Sequence, residues 1–533
     1  MPPTVAGFEA ALHDRGYDGV AEALISRHNQ RMERIAAVGH TMQCIGLPVL
    51  ASQLPLALAA EEFGADPGRP PMFSGPTWED HLAWGLDSTA AAARLMMSLQ
   101  PIGASIVART QLERWSSNLE FNSLIRQEPR ESTAAWLNRL WSAPSVWPDG
   151  VATPVGDLFG DISELLHGRG PLMPLVWLDV ADVTDAPSSE HVRLLDTISD
   201  SLVISLSHIR RCLATVAEAR GWSYRARTIN MIRLVSPARS WIPDLRAFLF
   251  PLVPAQFRAV EGVLGAAASG YRRAVSALRV GQRRDEPSEL WPVLSFGNQR
   301  FRALILAEHA LKVEQEVLGD RFDEMGVQKL ATEAVLAGEM AAMLALWLRQ
   351  KSGAHPAADA FAVTASGLRS AQWLWLEDDD RAMGCLRCVI EQVARARTWR
   401  TRPDRAARIE ASSKSSPRDW IEGAGWKRLN LLNRALGEFA HGSTRSNWNV
   451  ARDALVALQS NAEEDTARHT GRTHALTAMI FILSVECAAW VDSFSSELGE
   501  AYRSVIRVDD AQADEAIEAL MNRAWEKRGT PLR

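Results

Sequence analysis

Cysteine and tyrosine are scarce in this chain of 533 residues: five of the first and four of the second, beside nineteen tryptophans. So few cysteines cannot staple a chain of this length, and its stability has to come from a hydrophobic core. Cys385 and Cys388 form a Cys-x-x-Cys pair, but no second pair follows at zinc-ribbon spacing. The pair also falls inside a helical pattern, which reads as two small residues on a buried helix in a reducing compartment. There is no charge surplus to speak of. The net charge of -6 excludes a uniformly basic surface, so any nucleic-acid face must be local. The first residues, Met1-Pro2-Pro3-Thr4, lack the basic start and apolar run of a secretory signal. The longest apolar stretch, 36–60, is interrupted by His40, Gln43, Pro48, Gln53 and Pro55. That pattern suits a proline-broken buried helix pair better than a membrane span. A cytoplasmic protein with no membrane contact is the expectation.

Strand signals are nearly absent too: few alternating runs are joined by Asn-Gly or Asp-Gly turns. No phosphate loop of the form G-x-x-x-x-G-K-[ST], no Gly-x-Ser-x-Gly elbow and no His-Glu-x-x-His occurs. His469 and His474 stand five apart, not four. Asp378-Asp379-Asp380 has no second carboxylate segment at useful spacing and reads as an acidic turn or helix start. No metal and no cofactor is expected.

What remains is helix. From 327 to 348, Leu330, Ala334, Val335, Ala337, Met340, Ala341, Leu344 and Trp347 fall on one broad stripe. The segments 194–219 and 474–498 behave alike. Proline-rich breaks occur at 67–76, 141–154, 237–254 and 281–292, where each proline removes a backbone donor and disfavours helix just before it. The expectation is an all-α protein made of two related four-helix up-down units with a helical connector. The units are placed at 1–225 and 351–508, the connector at 226–350, and a tail helix at 509–533.

The two units echo each other. Arg109-x-x-x-Glu113 is followed by Glu164-Leu-Leu-His167-Gly168; Arg387-x-x-x-Glu391 is followed by Glu438-Phe-Ala-His441-Gly442. Such a repeat changes the fold assignment before anything else is read. Taken alone, Arg-x-x-x-Glu is a common helix-face ion pair worth about 0.3–0.5 kcal/mol. A His-Gly at a helix end is commonly a C-cap. Arg434 and His441 go further. They lie two helical turns apart on one face, with Glu438 between them and Asn433 just before. A phosphate-holding cation beside an imidazole that moves protons is what metal-free phosphodiester cleavage needs, RNA supplying the 2′-hydroxyl nucleophile.

Arg434-x6-His441 resembles the signature of the HEPN superfamily of small all-α domains. The two Glu-x-x-His-Gly segments with upstream Arg-x-x-x-Glu are similar to members of that superfamily. The resemblance implies a metal-independent ribonuclease of toxin or phage-defence type, usually working as a dimer around one cleft. It implies Arg434 as phosphate holder, His441 as proton-transfer residue, and Arg387 and Glu391 as polar neighbours. The first unit departs from the pattern: Gly160 stands where Arg434 would be, relative to His167. That unit is expected to be a degenerate partner whose His167 faces the same groove.

A local basic stretch supports an RNA partner. Arg397, Arg400, Arg402 and Arg405 are interleaved with Trp399, and Trp420 and Trp426 follow. Guanidinium fits phosphate geometry and an indole can stack on an unpaired base. The rival reading is a non-catalytic scaffold that binds a protein partner, a nucleotide or a second copy of itself. A third is a small-molecule enzyme using Asp378–Asp380.

Overall fold

Pro48 and Pro55 both lie inside one helix of the computed structural model, and the chain bends by 45° between Gly46 and Pro48. The missing amide of Pro48 accounts for the bend. The structure describes residues 4–62, 78–123, 125–142, 151, 153–181, 187–232, 234, 246–251, 257–279, 291–318, 324–353, 355–377, 381–412, 415–440 and 470–507. Among these residues there is no strand, and the fold is all-α. The helices are α1 (Val5–Arg15), α2 (Tyr17–Glu62), α3 (Trp78–Met97), α4 (Pro101–Ser123), α5 (Thr133–Trp141), α6 (Val155–Leu166) and α7 (Met173–Val180). Then come α8 (Ser189–Ala219), α9 (Ser223–Asn230), α10 (Arg246–Leu249), α11 (Phe257–Arg279), α12 (Trp291–Leu318) and α13 (Glu324–Ser352). The last are α14 (Pro356–Leu376), α15 (Arg381–Thr401), α16 (Pro403–Glu410), α17 (Pro417–Gly423), α18 (Asn430–Ala440), α19 (Thr470–Val491) and α20 (Ser496–Ile506). The acidic tail from 509 and the triplet 378–380 lie outside the described residues.

Two helices form the centre. From Ala357 to Leu374 α14 is buried on nearly every side, and α15 is buried from Ala382 to Ala396 save Arg387. A helix apolar all round has to be enclosed by others. Here α13, α15, α19, α4 and α7 enclose α14. Helix α4 in turn packs against α3, α6 and α8, while α15 packs against α14, α18 and α19. One contiguous apolar core runs through both halves.

The segment expected to be a connector contributes to that core. Met340, Ala341, Met343, Leu344 and Ala345 of α13 are fully buried, and α13 packs on α2, α14 and α19. Part of α13 is long and apolar enough to cross a membrane by length and composition, but 72% of that window is buried inside the protein.

Buried carboxylates tie the early helices to the late ones. Arg27, Arg31 and Arg34 share one face of α2 by their i, i+4, i+7 spacing. Arg31 donates from Nε and Nη2 to Asp179 at 3.0 and 2.8 Å. Arg34 reaches the carbonyls of Leu178 and Ala181, and Arg27 that of Val180, so these two arginines cap the negative end of α7. Arg369 of α14 joins Asp179 to Glu339 of α13, donating to Glu339 at 2.7 and 2.8 Å and to Asp179 at 3.2 Å. Its surrounding carboxylates keep Arg369 charged in full burial, and the arginines hold Glu339 ionised, well below the usual carboxylate range, against its desolvation.

Candidate functional site

The two Arg-x-x-x-Glu pairs have the same geometry. In α4 the Nε of Arg109 lies 3.1 Å from Oε1 of Glu113; in α15 the Nε of Arg387 lies 3.1 Å from Oε1 of Glu391. Both arginine side chains are 20% exposed. Arg109 also lies over the ring of Phe159 from α6, 5.1 Å from its centroid. The two pairs come from different halves of the chain, yet Arg109, Arg387 and Glu391 border one cavity of about 170 Å³ together with His167.

His167 is there because of how α6 ends. Leu158, Phe159, Ile162, Leu165 and Leu166 bury the apolar face of α6. Gly168 then adopts φ 71°, a left-handed conformation that glycine takes without penalty. The amide of Gly168 donates to Leu165 O at 2.9 Å and that of Arg169 to Glu164 O at 3.0 Å, which is a Schellman motif. The C-cap reading of His167-Gly168 is therefore met, and the same turn carries the imidazole to the cavity.

Helix α15 grips this turn. Cys388, Gln392 and Arg395 lie on one face at i, i+4, i+7. Cys388 Sγ and Gln392 Nε2 donate to Leu166 O at 3.3 and 3.0 Å, and Arg395 Nη1 donates to His167 O at 3.1 Å. Arg395 is itself paired with Glu410 of α16 through Nε at 3.0 Å. A side chain at 168 would collide: a Cβ there would stand 2.4 Å from Arg395 Nη1.

Burial, then charge, sets the protonation of the site. Burial first, and then Arg109, Arg169, Arg387 and Arg395, push His167 down to about 4. The imidazole is neutral near neutral pH. Its ring makes no hydrogen bond to another described residue. Burial holds the Cys388 thiol well above its ordinary value, so it is a protonated donor and not a nucleophile. Among the described residues no cluster of His, Cys, Asp and Glu could hold a metal ion.

The second half contributes α18. Arg434 is exposed and Asn433 is buried, with no hydrogen-bond partner for its Oδ1. Gly437 lies against Arg387: a Cβ at 437 would be 3.3 Å from Arg387 Nη1. Glu438 belongs to the same helix, which is described to Ala440. His441 lies outside the described residues. At the position that echoes Arg434, Gly160 opens onto free space.

The basic stretch does not present its cations as the sequence suggested. Arg400 donates from Nε and Nη2 to Glu486 of α19, both at 2.8 Å, and Arg397 reaches the same carboxylate at 3.4 Å. Glu486 is fully buried and needs that positive charge. Trp426 is buried beneath Arg397, 5.2 Å from its guanidinium, and Trp420 lies 5.8 Å from Arg395. The indoles are thus engaged by the protein's own cations. Arg402 is exposed and donates to Gly423 O at 3.2 Å; Arg405 is half-buried at the start of α16. Cys385 and Cys388 are buried free thiols on α15, as expected.

No family model, no curated protein and no solved structure matches this chain.

Proposed function

We propose that the protein is an RNA-binding, metal-independent endoribonuclease made of two HEPN-like units that share one cleft. The first unit comprises α3, α4, α6 and α8, the second α14, α15, α18 and α19. One observation carries this reading: Arg109 of the first pair and both Arg387 and Glu391 of the second border a single cavity with His167, and α18 lays Gly437 on Arg387. Two copies of one motif that meet at a cavity resemble the two halves of a dimeric site joined in one chain. Arg434 is the phosphate holder and His441 the proton-transfer residue. The RNA 2′-oxygen bonds to phosphorus, the bond to the 5′-oxygen breaks, and one proton passes from the 2′-hydroxyl to the leaving oxygen by way of imidazole. The setting that accompanies this chemistry is toxin or phage defence.

The test is cleavage of single-stranded RNA by the full chain in EDTA. Arg434→Ala and His441→Ala each abolish it, with the circular dichroism melt unchanged for the exposed Arg434. Loss of cleavage on chelation, or full activity in both variants, contradicts the reading. A non-catalytic scaffold is the second reading. It is favoured by the engagement of Arg397 and Arg400 with Glu486, which removes two cations from an RNA-facing surface. Under it no RNA is cleaved and both substitutions are silent.

A further inference from the structure

One short helix carries an exposed face that the fold leaves unused. Helix α8 ends at a left-handed glycine, Gly221 with φ 75°. The amide of Gly221 donates to Glu218 O at 2.9 Å and that of Trp222 to Ala217 O at 2.8 Å. This turn folds α9 back onto α8, where Ala226 and Ile229 are buried. Arg210 of α8 fixes the far end, donating from Nη1 to Ile232 O at 2.8 Å. Held at these points, α9 leaves Tyr224, Arg227, Thr228 and Met231 exposed. Their i, i+3, i+4, i+7 spacing puts them on one stripe. Tyr224 is 80% exposed and Met231 76%. The other three tyrosines are engaged: Tyr271 and Tyr502 are buried, and Tyr17 donates to Glu500.

The local charge is positive. Residues 217–232 hold three arginines against the single carboxylate of Glu218, in a chain whose net charge is -6. Arg220 and Arg225 lie over the ring of Trp222, 5.3 and 4.9 Å from its centroid, so that indole is occupied. The side chains of Tyr224 and Arg227 pair with no described residue. An open phenol ring beside an unpaired guanidinium suits unpaired nucleotides: the ring stacks on any base and the cation meets a phosphate. A membrane surface fits less well, because the apolar face of α9, Ala226 and Ile229, is turned inward.

We propose that the outer face of α9 is a docking surface for single-stranded RNA. Tyr224 stacks on a base, Arg227 holds a neighbouring phosphate, and Met231 packs against the next base. The proposal rests on the RNA-binding part of the function proposed above and not on cleavage. It supplies the open ring and cation that Trp426, Arg397 and Arg400, engaged within the protein, do not.

The experiment is fluorescence anisotropy of the full chain with a labelled 2′-O-methyl oligouridine, which has no free 2′-hydroxyl and so reports binding without cleavage. The parent is expected to bind it. Tyr224→Ala weakens binding about fivefold or more, while Tyr224→Phe, which keeps the ring, binds like the parent. Arg227→Gln also weakens binding. It lowers the slope of log affinity against log salt by about 0.7, the share of one phosphate contact on a single strand. Arg227→Lys keeps that slope. Both side chains are exposed, so the thermal midpoints of these variants match the parent's. Folded variants that bind like the parent overturn this proposal and leave the nuclease reading standing. A parent that binds through Tyr224 and cleaves no RNA keeps the proposal and loses the nuclease step. A parent that binds no oligonucleotide overturns the proposal whatever the cleavage assay shows. Equal displacement of the probe by oligoglutamate would mark an acidic protein partner and overturns it. So does Tyr224-dependent sedimentation with phosphatidylserine vesicles while the oligonucleotide stays unbound.

Discussion

Arg109 and Arg387 are held alike: each Nε sits 3.1 Å from Oε1 of the glutamate four residues on, and both guanidinia border the cavity that His167 completes. Neither pair is remarkable as a helix-face ion pair. Their meeting is a tertiary event, brought about because α4 packs against both α14 and α15 at the centre of the protein. The cavity therefore belongs to neither half alone.

The turn that carries His167 depends on Gly168. Replacement by alanine puts a Cβ into a left-handed residue and against Arg395. We expect Gly168→Ala to lower stability by about 1–2 kcal/mol from the backbone alone. The contact with Arg395 adds to that loss. Urea denaturation measures it, and unchanged stability would mean that the turn rearranges freely.

Gly160 is the opposite case. It lies within α6, and a Cβ there meets nothing within 4 Å. Gly160→Ala should raise stability by about 0.5–1 kcal/mol through the unfolded chain's lost freedom. A lowered thermal midpoint would show that the position is occluded.

Asp179 holds Arg31 and Arg369 together in the buried network. Asp179→Ala leaves two guanidinia in the interior without it, and a loss of about 3–5 kcal/mol is expected. Denaturant titration provides the check. A loss below about 1 kcal/mol would mean that water or the α7 carbonyls take over the role of the carboxylate.

Acid should weaken the protein early. His167 is pushed down to about 4 and the fully buried His208 to about 3, each by burial first. An unfolded histidine takes a proton below about 6.5, whereas these folded ones do not. The unfolded state then binds more protons, so stability falls as pH drops from about 6.5 toward 4 and, for His208, toward 3. Unfolding midpoints across that range, with His208→Asn as comparison, test the direction. A flat profile, or a midpoint that rises on acidification, would contradict it.

Much of the architecture was legible. Period-3.6 stripes announce helices wherever they run long, and the proline pair of α2 marks its bend. The His167-Gly168 cap can be read from two letters. The role of α13 could not, because a stripe shows that a face is buried without saying against what. The pairing of Arg397 and Arg400 with Glu486 could not be read for the same reason, since Glu486 lies far downstream of both. A usable signal did exist: Asp179, Glu339 and Glu486 are single carboxylates within apolar runs, and a buried carboxylate requires cations from elsewhere. Each of the three proves to be paired with arginine. Which arginines satisfy them, and so which remain for a ligand, is decided by helix packing alone.

The central claim is that the paired motifs build one working site. Its most direct test is cleavage of single-stranded RNA in EDTA by the parent, Arg109→Gln, Arg387→Gln and the double variant. Residues acting as a unit give a double variant little worse than either single one. The account predicts cleavage by the parent, a large loss in each single variant and little further loss in the double. Two singles that match the parent, or a parent that leaves RNA intact, would contradict it.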